Sequence, residues 1–279
     1  MRKKKESLRA SILESLKSRS KSSPKQAGKP ARPEGTLIAS YNVHKCVGAD
    51  RRFDPERTSR VIHEIDADVI GLQEADTRFG ERTGLLDLRR LERETGLIPV
   101  PIAGVTKAHG WHGNVVLFKQ GTVRDVHQIK LPGLEPRGAL IAEIELARGG
   151  SIRIIAAHLG LLHRSRAQQT RLIVELMNDG GSIPTILLGD LNEWRLGDRS
   201  SLSTFQAAFG PLPPAVPSFP AALPLLALDR IMANRRGMIS AVEVHDSPLA
   251  RVASDHLPIK AVISLETLDG EAQAHSRTA

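Results

Sequence analysis

Asn42, Glu74, His158, Asp190 with Asn192, and Asp255 with His256 each lie at the end of a short apolar β-type run or in the turn beside one. Side chains at strand ends can converge on one rim. A set made of carboxylates, amides and imidazoles, with neither a thiolate ligand nor a nucleophilic-serine motif, is what a hard, oxygen-seeking cation requires. Mg²⁺, or Mn²⁺ in its place, accepts such ligands and keeps waters, which suits phosphate chemistry better than peptide hydrolysis.

Taken singly, each residue has a plain structural account. Glu74 in Val-Ile-Gly-Leu-Gln-Glu could cap a strand, and Asp190 in Leu-Leu-Gly-Asp-Leu-Asn could form a turn. His158 could be a hydrogen-bonded core imidazole, Asp255 a cap, and Asp229 a buried partner of Arg230. What that account leaves unexplained is their coincidence in one body of chain.

The elements that would position these groups can be read from periodicity. Strands are expected at Leu37 to Tyr41, Asp68 to Leu72, Asn114 to Phe118, Ala139 to Glu145, Ile152 to Ala157, Thr185 to Leu188, Asp229 to Ala233, Ala241 to His245 and Pro258 to Ile263. Helices are expected at Asp54 to Ile65, which opens with an Asp-Pro-Glu start signal, at Leu85 to Arg93 and at Arg164 to Met177. Pro211 to Pro224 reads as a long loop. Many strands, few helices and several connections too short for a crossover helix predict a mixed or antiparallel sandwich covered by helices.

The charge is unevenly placed. Met1 to Glu34 hold 11 of the 39 basic residues and 3 of the 31 acidic ones, so the remaining chain carries 28 of each sign. The formal net charge of +8 therefore belongs to a basic tail, expected to be disordered over 1–34, ahead of a neutral body over 35–267 and a polar C-terminal tail over 268–279. Such a tail suits counterion-driven contact with nucleic acid or weak contact with an anionic membrane surface. The single cysteine, Cys46, excludes an internal disulfide, a thiolate zinc site and dithiol redox chemistry. Aromatic residues make up 3% of the chain, fewer than a groove that grips bases by stacking usually needs. No secretory signal or bilayer-spanning stretch is read, so a soluble, cytoplasmic protein is expected.

The ordered set Ser-Tyr-Asn-Val-His (40–44), Leu-Gln-Glu (72–74), Gly-Asn (113–114), Ala-His-Leu (157–159), Gly-Asp-Leu-Asn (189–192), Leu-Asp-Arg-Ile (228–231) and Ser-Asp-His (254–256) resembles the endonuclease/exonuclease/phosphatase superfamily, the deoxyribonuclease-I-like fold. The resemblance covers about 36–266. It implies an α+β protein, a four-layer α/β/β/α sandwich of two mixed β-sheets flanked by helices, and a divalent-metal phosphoesterase. By the same resemblance Glu74 is the principal Mg²⁺ ligand, supported by Asn42, with Asp255 serving the metal or its water shell. Asp190 orients or deprotonates the attacking water, while Asn192 and His158 contact phosphate. His256 faces the scissile phosphate, held in its tautomer by Asp229.

The chain departs from the abasic-site nucleases in two places. Where they carry an aspartate two residues after the first Asn, this sequence has His44, which could meet substrate or water instead. Where they use an active-site tyrosine, its only tyrosine, Tyr41, lies inside the first strand. Abasic-site repair is disfavoured. Arg137, ahead of a strand, is a candidate phosphate clamp with a structural salt bridge as its alternative, and Asn114 a candidate substrate contact. Arg164 and Arg166 read either as a basic rim or as a solvated helix face, and His109, Trp111 and His112 either as pocket lining or as packing. The expected activity is hydrolysis of a phosphodiester, with a small molecule or lipid head group favoured. The alternatives are a nuclease tethered by the basic tail, or a phosphate-binding module without activity. Oligomeric state is not legible.

Overall fold

The computed structural model describes residues 35–104, 106–147, 150–178, 183–195 and 197–264. Both expected tails, 1–34 and 268–279, lie outside the described residues. In chain order the elements are β1 (Thr36–Asn42), α1 (Pro55–Ile65), β2 (Val69–Gln73), α2 (Leu88–Thr95), β3 (Ile98–Pro99), β4 (Val115–Phe118), β5 (Gly121–Lys130), β6 (Gly138–Leu146), β7 (Ser151–Ala157), α3 (His163–Asn178), β8 (Thr185–Asp190), the short α4 (Gln206–Phe209), β9 (Asp229–Ala233), β10 (Glu243–Val244), the short α5 (Ala250–Ala253) and β11 (Ile259–Ile263). No helix among them is long and apolar enough to cross a membrane.

The strands form two mixed sheets, one in the order β10-β11-β1-β2-β4-β3 and the other in the order β5-β6-β7-β8-β9. Each sheet contains one parallel pair, β1 with β2 and β7 with β8, and each pair is joined through a helix, as parallel neighbours require. Asp54 caps α1 by accepting the amide of Arg57 at 2.8 Å, and Pro55 sits where its missing N–H is no loss. The helix turns Val61, Ile62 and Ile65 onto the outer face of the first sheet, against Tyr41 and Leu72. On the far side, Ile173 and Met177 of α3 pack with Phe205 over Ile155 and Leu187 of the second sheet. Between the sheets lies a third core built from Ile38, Val69, Leu140, Ile154, Ile186, Leu188 and Ile259. Four layers result, as the resemblance implies. At Gly71 the sheets come close enough that a Cβ would stand 2.1 Å from Leu188 Cδ1.

Each expected strand forms, though β10 pairs over two residues only. Two more appear. β3 is too short to leave a pattern, and β5 is an edge strand exposed along most of its length, with a register break between Val123 and Asp125 that spoils the alternation of its apolar residues.

Candidate active site

Alternation in the strands delivers polar side chains to one end of the gap between the sheets. Ile38 faces the inter-sheet core, so Asn42, four residues on, leaves the same face of β1. Ile154 and Ala156 on β7 lead likewise to His158, Ile186 and Leu188 on β8 lead to Asp190, and Asp229 shares the inner face of β9 with Ile231. Asn42 thus reaches across from one sheet to the other and donates through Nδ2 to Asp190 Oδ2 at 2.9 Å. Gly189 makes room for this turn: at φ 144° any Cβ would stand 1.8 Å from the Ala157 carbonyl oxygen.

Asp190 is buried and surrounded. Its Oδ1 accepts the Asn192 amide at 3.0 Å, and its Oδ2 lies 3.5 Å from His158 Nε2 and 3.7 Å from His256 Nε2. Burial pushes its pKa up to about 6, aided by the neighbouring Asp229 carboxylate and opposed by His256 and by the bonds from Asn42 and Asn192. His256 donates through Nδ1 to Asp229 Oδ2 at 2.8 Å, and Ser218 donates to the same oxygen. Burial alone would lower the imidazole's pKa, but Asp229 and Asp190 raise it to about 10, so the ring holds both protons at neutral pH. Phe219 covers it, ring centroid to ring centroid 4.8 Å.

Beside this cluster a pocket is lined by Lys45, Glu74, Arg78, Arg82, Arg137 and His158. Glu74 is not where alternation would send it. Ile70 and Leu72 face α1, but at Glu74 the backbone enters the left-handed region at φ 55°, and the side chain lines the pocket instead. His44, Lys45 and Asn192 share that uncommon conformation, at φ 45°, 55° and 51°. The Lys45 ammonium lies 2.7 Å from Glu74 Oε2. Burial would raise the Glu74 pKa; positive charge around it holds it below the usual carboxylate range. Because burial and Arg137 keep the His158 ring neutral, that charge is chiefly the Lys45 ammonium.

Several expected groups find other surroundings. Arg137 lines the pocket and is also ion-paired to Glu135 at 2.9 Å, with Nη1 2.8 Å from His158 Nε2. Asn114 is not brought to the pocket: fully buried, it donates to the Trp111 and Gly138 carbonyls at 3.1 and 2.9 Å. His44 and Asp255 stand together at 3.7 Å, both half-buried. Asn192 donates to the Leu159 carbonyl at 3.0 Å, fixing the turn after β8 to that after β7. Arg166 belongs to neither a basic rim nor a solvated face; it is fully buried against Glu193, while Arg164 is exposed. Trp111 packs against the inter-sheet core, His109 bonds the Leu86 carbonyl, and His112 lines the pocket. Sequence reasoning missed Lys45, Arg78, Arg82 and Ser218. Their signal was proximity: Lys45 follows His44, and the two arginines occupy the turn just after Glu74.

The donor set suits a hard cation. Glu74 is ionised and already holds a positive charge against one oxygen, while the Asn42 carbonyl oxygen accepts the His44 amide at 3.0 Å. Asp190, Asp229 and His256 also bring ligand atoms within 4.8 Å of one another, a grouping able to hold a metal once the imidazolium gives up a proton. The buried Cys46 thiol, its pKa pushed up to about 11 by burial, is no competitor as ligand or nucleophile.

A sequence model of the endonuclease/exonuclease/phosphatase family matches residues 39–256. The chain belongs to that family. No curated protein matches it by sequence. Among solved structures, an endonuclease/exonuclease/phosphatase from Beutenbergia cavernae is 22% identical with a TM-score of 0.60, covering 83% of this chain and 72% of that one. A mannosyl-6-phosphatase of Bacteroides thetaiotaomicron is 16% identical with a TM-score of 0.62, over 82% of this chain and 100% of that one. The TDP2 protein of D. rerio, solved with a single-stranded DNA product, is 14% identical with a TM-score of 0.59, over 83% and 100%. At these identities the likeness establishes the two-sheet fold, and members of the family hydrolyse phosphoester bonds.

Proposed function

We propose that this family member is a metal-dependent hydrolase of a phosphodiester borne by a small molecule or lipid head group, acting by in-line attack of water. The observation that carries the reading is Asp190: a buried carboxylate in no salt bridge with Lys or Arg among the described residues, steadied by Asn42 and facing two imidazoles at 3.5 and 3.7 Å. A carboxyl whose pKa lies near 6 is ionised at neutral pH yet basic enough to take a proton from attacking water.

Glu74, Asn42 and Asp255 would hold Mg²⁺ or Mn²⁺. Bound there, the cation supplies charge neutralisation on the phosphoryl oxygens. His256, charged and fixed by Asp229, would donate to an oxygen of the scissile phosphate; His158 and the second amide proton of Asn192 would reach the equatorial oxygens. Arg137 steadies His158 and offers the pocket a guanidinium. Arg78 has no ion-pair partner among the described residues, which leaves it available to a substrate anion.

The test is a panel of supercoiled plasmid, abasic duplex, bis(p-nitrophenyl) phosphate, inositol phosphates and phospholipid vesicles, each with Mg²⁺, Mn²⁺ or chelator. The small diester or the lipid should turn over, chelator should abolish the rate, and Asp190→Asn should lower it by ~10²-fold or more. Turnover that ignores chelator, or none on any substrate, would sink the proposal. A second reading, a nuclease held on its substrate by the tail, is favoured by the 11 basic residues before Gly35. It requires plasmid cleavage that weakens steeply with salt.

A further inference from the structure

Among the described residues ten large apolar side chains are exposed, and all ten sit at the end of the sheets that carries the site, nine in loops and Val252 in the short α5. Phe53 follows β1, Phe79 follows β2, Leu134 precedes β6, Leu161 follows β7, Trp194 follows β8 and Leu223 precedes β9. Neither the described turns at the opposite end nor the outer faces of α1, α2 and α3 bear one. Isolated exposed leucines are ordinary, but confinement to one end of a molecule is not.

Charge runs with them. Arg52 adjoins Phe53, Arg78 adjoins Phe79, and Arg164 lies just past Leu161 and Leu162; none of the three guanidiniums forms a salt bridge among the described residues, though the charge of Arg52 is felt by Asp50. Apolar tips beside unpaired guanidiniums match an interface whose surface is anionic and whose interior is hydrocarbon. Nucleic acid fits less well, because seven of the ten are leucine or valine, which offer no face for stacking bases.

We infer that the site end of the molecule docks on an anionic lipid bilayer, its loop tips entering the head-group layer, so that the arginine-lined pocket meets the phosphate of a lipid. The docking stands on the loops alone; that the docked lipid is also the substrate rests on the hydrolase reading.

The two tryptophans make this measurable. Trp111 is tied by its indole N–H to the Ile129 carbonyl at 2.9 Å, whereas Trp194 is exposed in one of the loops concerned. On adding vesicles of phosphatidylcholine and phosphatidylglycerol in equal parts to the full chain, emission should move to shorter wavelength and be quenched by acyl-brominated lipid. The triple variant Leu134→Ser, Leu161→Ser, Leu223→Ser keeps every charge, tail included; it should bind these vesicles at least ~tenfold more weakly and hydrolyse bis(p-nitrophenyl) phosphate at the wild-type rate. The inference is overturned by unchanged emission, by a variant that binds as well as wild type, which would assign binding to the tail, by parallel loss of diester turnover, or by a self-association that the triple variant abolishes. A vesicle response in a protein that hydrolyses nothing would uphold the docking and defeat the hydrolase reading instead.

Discussion

His256 stands between two buried carboxylates, its Nδ1 2.8 Å from Asp229 Oδ2 and its Nε2 3.7 Å from Asp190 Oδ2. Their combined field overcomes the desolvation of the ring and keeps it charged. Asp229→Asn removes one of the two charges with little change of shape. The rate constant at saturation should fall ~10²- to 10⁴-fold while KM changes little. The alkaline limb of the pH–rate profile, set by loss of a proton from an imidazolium whose pKa is about 10, should move to lower pH in the variant. An unmoved limb would mean that Asp229 does not hold the charge on that ring.

On the proposed function, a divalent cation would make the same demand on Glu74 that Lys45 makes. The ammonium is partly solvated, so the pair should be worth about 1 kcal/mol or less to the fold, yet it must be displaced or shared when metal binds. Lys45→Ala should therefore lower the Mg²⁺ concentration giving half-maximal activity by up to about fivefold. Glu74→Gln should raise it far more than Asp229→Asn does. If Asp229→Asn instead has the larger effect on metal titration, the cation belongs to the group formed by Asp190, Asp229 and His256.

How far the sequence discloses this site depends on how far local rules survive at strand ends. The apolar alternation through Ile38, Ile154 and Ile186 carries on to Asn42, His158 and Asp190, so these three could be placed on one rim from pattern alone. Glu74 could not, because a left-handed residue re-aims it, and a non-glycine residue in that conformation leaves little trace in sequence. Arg166 was misleading for another reason. Near the start of a helix rich in polar residues, it looks solvated, but it lies beneath a loop whose Glu193 is 27 residues further along the chain, beyond the rest of α3 and the whole of β8. Long-range pairing of that kind has no periodic signal.

Arg78 is a half-buried guanidinium that lines the pocket without an ion-pair partner among the described residues, in contrast to Lys45, Arg82 and Arg137, which pair with Glu74, Asp76 and Glu135. A cation free of internal pairing can answer to a ligand's charge. Arg78→Ala should raise KM for an anionic phosphate ester about 10- to 100-fold, as expected for loss of one hydrogen bond to a charged group, and leave the folded protein's melting temperature within a degree or two. Steady-state kinetics on the panel substrate that turns over best will decide it. A fall in the turnover number at unchanged KM would place Arg78 at the reacting phosphoryl group rather than at a neighbouring anion.

Arg166 and Glu193 form a fully buried ion pair at 3.3 Å, and each also ties a loop that bears site residues. Arg166 donates to the Gly160 and Leu161 carbonyls at 3.1 and 2.6 Å, just after His158, while Glu193 accepts from the Ser201 and Arg195 amides at 3.0 Å each, just after Asn192. Burial would raise the Glu193 pKa, but the Ser201 and Arg195 amides, the Ser201 hydroxyl and Arg166 lower it below the usual range. A carboxyl depressed on folding stabilises the protein fully above its unfolded pKa of about 4.3 and loses that contribution as pH falls through the folded value. Glu193→Gln leaves a buried guanidinium unpaired and should destabilise the fold by ~3–5 kcal/mol at neutral pH. Denaturant midpoints should show the gap between variant and wild type narrowing as pH is taken below the carboxylate range, because protonated Glu193 leaves Arg166 equally unpaired. Arg166→Met combined with Glu193→Gln should recover much of the loss, since no charge is then stranded; a double variant no more stable than Glu193→Gln alone would show that the backbone bonds of Arg166, not its charge pairing, secure these loops.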